Sequence, residues 1–128
     1  MKTATTIAQV LLRSAGLVQI ILGVLFWTGN LLNLIPLHIV IGLVLVLALW
    51  TLAVLAIRAG VQVGFVAVAL VWGLITVIFG MTQAQLLPGP AHVVIRVLHL
   101  LVGLGAMGLG EQLARRIKRP ETLAPSTR

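Results

Sequence analysis

The sequence predicts an all-α polytopic membrane protein, folded as a four-helix transmembrane bundle. Its composition is the first reason: 60% of the 128 residues are apolar and 9% are charged, whereas about 25% are charged in soluble domains. The second reason is that the chain contains four apolar runs, each close to the roughly 20 residues that a helix needs to cross the hydrocarbon core. Such a composition provides no surface for a soluble domain, which excludes a cytosolic enzyme.

The four spans are expected at about 8–32, 36–58, 61–81 and 90–110. The connections are short, so consecutive helices should be antiparallel neighbours. Pro36 and Pro90 suit the first turn of a helix, where a missing N–H costs nothing, and Gly60 with Gly64 separates the second and third runs. Residues 1–119 should form the bundle, and 120–128 a disordered cytoplasmic tail.

The first run contains Arg13 and is longer than the apolar region of a signal peptide, so we interpret it as a retained span. Basic residues predict the orientation of the spans. Loops 29–37 and 82–91 are uncharged, which places both termini in the cytoplasm, with a bacterial inner membrane as the expected location. The net charge of +7 then reflects orientation and does not indicate nucleic acid. Eight of the nine basic residues lie near the termini or in the second loop: Lys2, Arg13, Arg58, Arg115, Arg116, Lys118, Arg119 and Arg128.

An internal repeat of two helix pairs is predicted, with halves at about 8–58 and 61–118. A shift of 54 residues aligns 35–41 with 89–95, so that Pro36 and His38 match Pro90 and His92. Because each half holds two spans, the halves would be parallel and related by a pseudo-two-fold axis along the membrane normal. His38 and His92 would then lie at equal depth on opposite sides of the bundle core.

The fourth helix carries His92, Arg96 and His99, whose offsets of four and seven place them on one face. Ionisable groups inside a membrane are costly and usually functional, so this face is expected to point into the bundle. The other interpretation is that Arg96 extends to lipid phosphates and that the histidines bond to loop carbonyls. The predicted core lining is His38, His92, Arg96, His99, Gln19, Thr76 and Gln83.

Two histidines facing each other across a helical bundle can be axial ligands of haem iron. We expect His38 and His92 in this role, with His99 as the alternative ligand on the fourth helix. Gly23 and Gly80 would leave room for the macrocycle, and Arg96 could pair with a propionate.

This arrangement resembles membrane-bound four-helix b-type cytochromes. The resemblance implies one bis-histidine haem b near the outer face. It also implies electron transfer with a quinone or a partner subunit, in a chain that is an electron carrier or accessory protein rather than an enzyme.

The sequence Leu11-Leu12-Arg13, followed by a glycine-rich span that ends in Phe26 and Gly29, is also similar to DoxX-like small membrane proteins. It accompanies the second hypothesis, which is a non-enzymatic accessory or assembly subunit, or a binder of lipid or quinone, with the bilayer and further copies of the chain as candidate partners. No site residues transfer from it.

A small-molecule transporter is a third hypothesis, but proton-coupled transport usually needs an intramembrane carboxylate. The candidate is Glu111, which we interpret as a helix-end ion pair with Arg115. Hydrolytic chemistry has no support, because the two serines, Ser14 and Ser126, lie outside the predicted core and the chain has no cysteine.

Overall fold

The computed structural model describes residues 1–119, which form an all-α four-helix bundle, so the predicted fold class is confirmed. The helices are α1 (Lys2–Trp27), α2 (Ile35–Arg58), α3 (Val63–Thr82) and α4 (His92–Lys118). A single 3-10 turn precedes α2 at Leu32–Leu34, and another follows α3 at Gln83–Gln85. All four helices are long and apolar enough to cross a membrane. The predicted tail, 120–128, lies outside the described residues.

Glycines end the first two helices. Gly29 has φ +77°, a conformation that side chains disfavour, and the amide of Asn30 donates to the carbonyl of Leu25 at 2.9 Å. Gly60 has φ +76°, and the amide of Val61 donates to the carbonyl of Ala56 at 2.9 Å. These are the backbone bonds of the Schellman motif, so α1 stops before the apolar sequence does.

The predicted boundaries need three corrections. Helix α1 begins at Lys2, because the polar first turn still forms helical bonds and the Thr5 hydroxyl donates to the carbonyl of Met1 at 2.9 Å. Pro36 does lie in the first turn of α2, whereas Pro90 lies in a turn before α4, where the His92 amide donates to the carbonyl of Gly89 at 3.0 Å. Helix α4 does not fade after 110 but continues to Lys118.

The bundle is closed at the end that holds the start of α1, the α2–α3 turn and the end of α4, here called the terminal end. Helices α1 and α3 each pack against α2 and α4, and α2 also packs directly on α4. Small side chains let these backbones approach closely. The fully buried alanines of this core are Ala53, Ala56, Ala69, Ala106 and Ala114.

Two tryptophans connect neighbouring helices. The indole N–H of Trp50 on α2 donates to the carbonyl of Leu70 on α3 at 3.2 Å, and that of Trp72 on α3 donates to the carbonyl of Val102 on α4 at 2.9 Å. Each indole packs over a glycine of the next helix, Gly73 and Gly105 respectively. These contacts fix the relative register of α2, α3 and α4.

A polar cluster joins α1 to α4 near the terminal end. The Arg13 guanidinium donates to the Glu111 carboxylate, with Nη2 to Oε2 at 2.8 Å, and the Gln9 amide donates to the same carboxylate at 2.9 Å. Lys118 donates to the Gln9 side chain at 2.7 Å. The interpretation of Glu111 as a pair with Arg115 is therefore wrong, since its salt bridge crosses to α1.

Candidate functional site

The opposite end of the bundle, which holds the α1–α2 and α3–α4 connections and is here called the loop end, opens into a cavity of about 420 Å³. All four helices line it, and its volume falls within the roughly 300–1,000 Å³ of small-molecule sites. Most lining side chains are apolar. The polar lining includes all seven residues that the sequence predicts there: Gln19, His38, Thr76, Gln83, His92, Arg96 and His99.

The rings of His38 on α2 and His99 on α4 are neighbours in this cavity. Their centroids are 6.2 Å apart and their planes are inclined by 53°. Phe26 packs edge-on against His38 at 5.3 Å between centroids, and Phe79 packs in the same way against His99 at 5.9 Å. One phenylalanine therefore restricts the rotation of each imidazole ring.

A glycine on the preceding helix makes room for each imidazole. A Cβ atom placed on Gly23 of α1 would lie 4.0 Å from Cε1 of His38, and one placed on Gly80 of α3 would lie 3.4 Å from Cε1 of His99. Both distances put the rings in or near van der Waals contact with the glycine positions. Larger residues there would fill the space beside the rings.

The two helix pairs present the same set of residues. Each first helix supplies the glycine against the ring, and each second helix carries His-x3-Gly, at His38–Gly42 and at His99–Gly103. Gly42 was missed in the sequence-based prediction of the site. The recurrence of His-x3-Gly on the second and fourth helices is the sequence signal that indicates it.

His92 and Arg96 occupy a different part of the cavity wall. His92 is the first residue of α4, and its Nδ1 lies 2.9 Å from the carbonyl oxygen of Leu86. Since a carbonyl only accepts, Nδ1 of His92 carries the proton and donates. Arg96 lines the cavity one turn further along α4 and remains exposed. This pair forms the polar margin of the cavity at the loop end.

Three polar atoms of residues 1–119 are buried without a hydrogen-bond partner, and all belong to side chains that line this cavity. They are Oε1 of Gln19, Nδ1 of His38 and Nδ1 of His99. An unsatisfied buried polar group typically costs about 1–3 kcal/mol. The Thr76 hydroxyl, by contrast, donates to the carbonyl of Trp72 at 2.8 Å. The buried polar atoms without a partner in residues 1–119 thus all belong to residues of this one cavity.

The histidine pair fits a metal that brings most of its own ligands. Among the described residues, no group of three His, Cys, Asp or Glu side chains could hold an ion. A metal between two imidazoles lies about 2 Å from each ring nitrogen, and each nitrogen is roughly 1 Å from its ring centre, which places the two centres about 6 Å apart. The observed 6.2 Å agrees with that spacing. A metal held between these two rings would need its remaining ligands from a cofactor or another molecule.

Comparison with known proteins adds no further assignment: no family model, curated protein or solved structure matches the chain.

Proposed function

We propose that this chain is an integral membrane b-type haem protein that transfers electrons, with the haem held between His38 and His99. The observation that carries the proposal is the 6.2 Å separation of the two imidazole rings inside a four-helix cavity. Of the two α4 ligands that the sequence leaves open, the geometry supports His99, because its ring, and not that of His92, is the neighbour of the His38 ring.

The residues around the histidine pair would each have a different role in holding the cofactor. His38 and His99 would hold the iron, and two imidazole ligands suit electron transfer rather than substrate binding at the metal. Gly23 and Gly80 leave space beside the rings. Arg96, on the exposed margin of the cavity, is the cation for a propionate. Bound haem b would supply one-electron redox chemistry, and the surrounding apolar wall would keep water away from it.

The charge distribution supports an orientation for the proposed protein. The basic residues of the described chain, Arg96 apart, belong to the terminal end, which the positive-inside rule places in the cytoplasm. The cavity would then lie in the outer half of a bacterial inner membrane. Its electron partner would be a quinone in the bilayer or a neighbouring membrane subunit.

Absorption spectroscopy of the protein purified in mild detergent tests the proposal. The wild-type protein should show a Soret band and, after dithionite, sharp α and β bands. These bands should be lost in His38→Ala and in His99→Ala. They should persist in His92→Ala, the matched control on the same helix. A colourless wild-type protein from cells grown with ample haem would overturn the proposal, and loss of haem in His92→Ala but not in His99→Ala would overturn the choice of ligand.

A binder of lipid or quinone, acting as an accessory subunit, is the second candidate, and the mostly apolar lining of the cavity favours it. That function predicts a colourless protein that retains an extractable lipid or quinone after purification. Solvent extraction of the same preparation, followed by mass spectrometry, distinguishes the two candidates.

A further inference from the structure

Gln19 is a polar residue of the cavity to which the proposed haem site gives no role. Its Oε1 atom is buried without a partner, as is Nδ1 of His38. An amide oxygen is an acceptor, and an imidazole nitrogen that carries a proton is a donor. The two unsatisfied atoms therefore have complementary chemistry inside one cavity.

Helices α1 and α2 present these two side chains to each other. Gln19 and Gly23 are four residues apart on α1, and His38 and Gly42 are four residues apart on α2. A Cβ atom on Gly42 would lie 2.6 Å from Nε2 of Gln19, while one on Gly23 would lie 4.0 Å from Cε1 of His38. Each polar side chain thus lies over the glycine of the opposite helix, and the two are about one helical turn apart, roughly 5.4 Å.

Iron binding would determine which nitrogen of His38 carries the proton. If Nε2 binds the metal, the proton is on Nδ1, and ligating histidines almost always donate that N–H to an acceptor that orients the ring and raises its basicity. Rotation of the Gln19 side chain, whose Oε1 has no other partner, would close the gap.

We propose, resting on the haem site above, that Gln19 is a positioning residue whose Oε1 accepts the Nδ1–H of His38 and lowers the reduction potential of the haem. Accepting this proton makes the imidazole a stronger donor to iron, which favours the oxidised form. The equivalent residue of the second half, Thr76, already donates its hydroxyl to Trp72, so the two ligands have different hydrogen-bond environments.

A spectroelectrochemical titration of the haem-loaded protein tests this role. Gln19→Leu removes the acceptor and should raise the midpoint potential, changing the reduced-to-oxidised ratio at a fixed potential about tenfold, which is about 59 mV for a one-electron couple. Gln19→Glu keeps an oxygen acceptor and should leave the midpoint at or below the wild-type value. Gln112→Leu makes the same change on the exposed surface of α4, away from the cavity, and should leave the midpoint unchanged.

The outcomes separate this inference from the proposed function. A haem-loaded Gln19→Leu protein with the wild-type midpoint would overturn the role of Gln19 and leave the haem site standing. Equal shifts in Gln19→Leu and Gln112→Leu would also overturn it, since the change would then not depend on an acceptor beside His38. A wild-type protein without a Soret band would instead overturn the haem site itself.

Discussion

Three glycines of α4 allow a controlled test of how the bundle packs. A Cβ atom on Gly105 would lie 2.7 Å from Cζ2 and 2.9 Å from Nε1 of Trp72, on the indole that donates to the carbonyl of Val102. A Cβ atom on Gly103 or Gly108 would meet no other atom of residues 1–119 within 4 Å. Gly105→Ala should therefore destabilise the bundle, while Gly108→Ala and Gly103→Ala should not.

The magnitude follows from the difference between Gly105→Ala and Gly108→Ala. The gain in helix propensity, about 1 kcal/mol, is common to both variants and cancels. The added methyl displaces the indole at a cost of about 1–3 kcal/mol for overpacking, and loss of the indole hydrogen bond adds about 0.5–1.5 kcal/mol. The free energies of unfolding of the two variants should differ by about 3 kcal/mol, or about two orders of magnitude in the unfolding equilibrium constant.

Unfolding in mixed detergent micelles, followed by the helical signal in circular dichroism, measures this difference. Gly108→Ala should match or slightly exceed the wild-type stability, because the alanine faces open space on the same helix. Equal stabilities for Gly105→Ala and Gly108→Ala would refute the inference that the Trp72 contact sets the distance between α3 and α4.

Three further predictions concern the charged and exposed residues. Glu111→Gln should lower the unfolding midpoint in detergent and reduce its dependence on salt, since it removes the carboxylate that pairs with Arg13; an unchanged midpoint would show that the pair contributes nothing. Arg96→Gln should weaken haem retention during dilution by about 10-fold to 100-fold, as expected for a lost charge-assisted hydrogen bond of about 1.5–3 kcal/mol, while leaving the positions of the absorption bands unchanged. Because the chain has no cysteine, the single cysteine of Gln85→Cys or of Gln62→Cys can be labelled in intact cells. An impermeant maleimide should react with the Gln85→Cys protein and not with the Gln62→Cys protein. The opposite result would mean that the predicted membrane orientation is inverted.

The fold could be predicted from the sequence because it depends on properties of each helix taken singly. Span length, apolarity and short connections define four antiparallel helices without knowledge of their contacts. The helix boundaries were predicted less accurately. An apolar run ends at the first polar residues, whereas a helix ends where its backbone hydrogen bonds end. Helix α1 illustrates both errors, starting in a polar segment at Lys2 and ending at the Schellman bonds around Gly29.

The site could be predicted only in part because it depends on register between helices. Offsets along α4 place His92, Arg96 and His99 on one face, but they do not determine which histidine lies opposite His38. The 54-residue shift aligns 35–41 with 89–95, although α2 begins at Ile35 and α4 only at His92. The site residues instead repeat at 57 residues on the first helices, from Gly23 to Gly80, and at 61 on the second helices, from His38 to His99. These two shifts differ by 61 − 57 = 4 residues, which is about one helical turn. No single shift therefore aligns the site residues of both helices in one half with those of the other half.

The placement of the histidines explains why a chain with two similar helix pairs would hold one cofactor and not two. Each pair supplies one imidazole, one adjacent glycine and one flanking phenylalanine, which is half of what the protein would contribute to the proposed haem site. The rings meet because α2 and α4 pack directly on each other, so the site lies between the halves and belongs to neither. The alanine-rich terminal end holds α2 and α4 together, and this packing maintains the 6.2 Å ring separation in a loop end that has little core of its own. A substitution that loosens the packing of α4, such as Gly105→Ala, would therefore also disturb the histidine pair, although Gly105 is six residues from His99 along the helix.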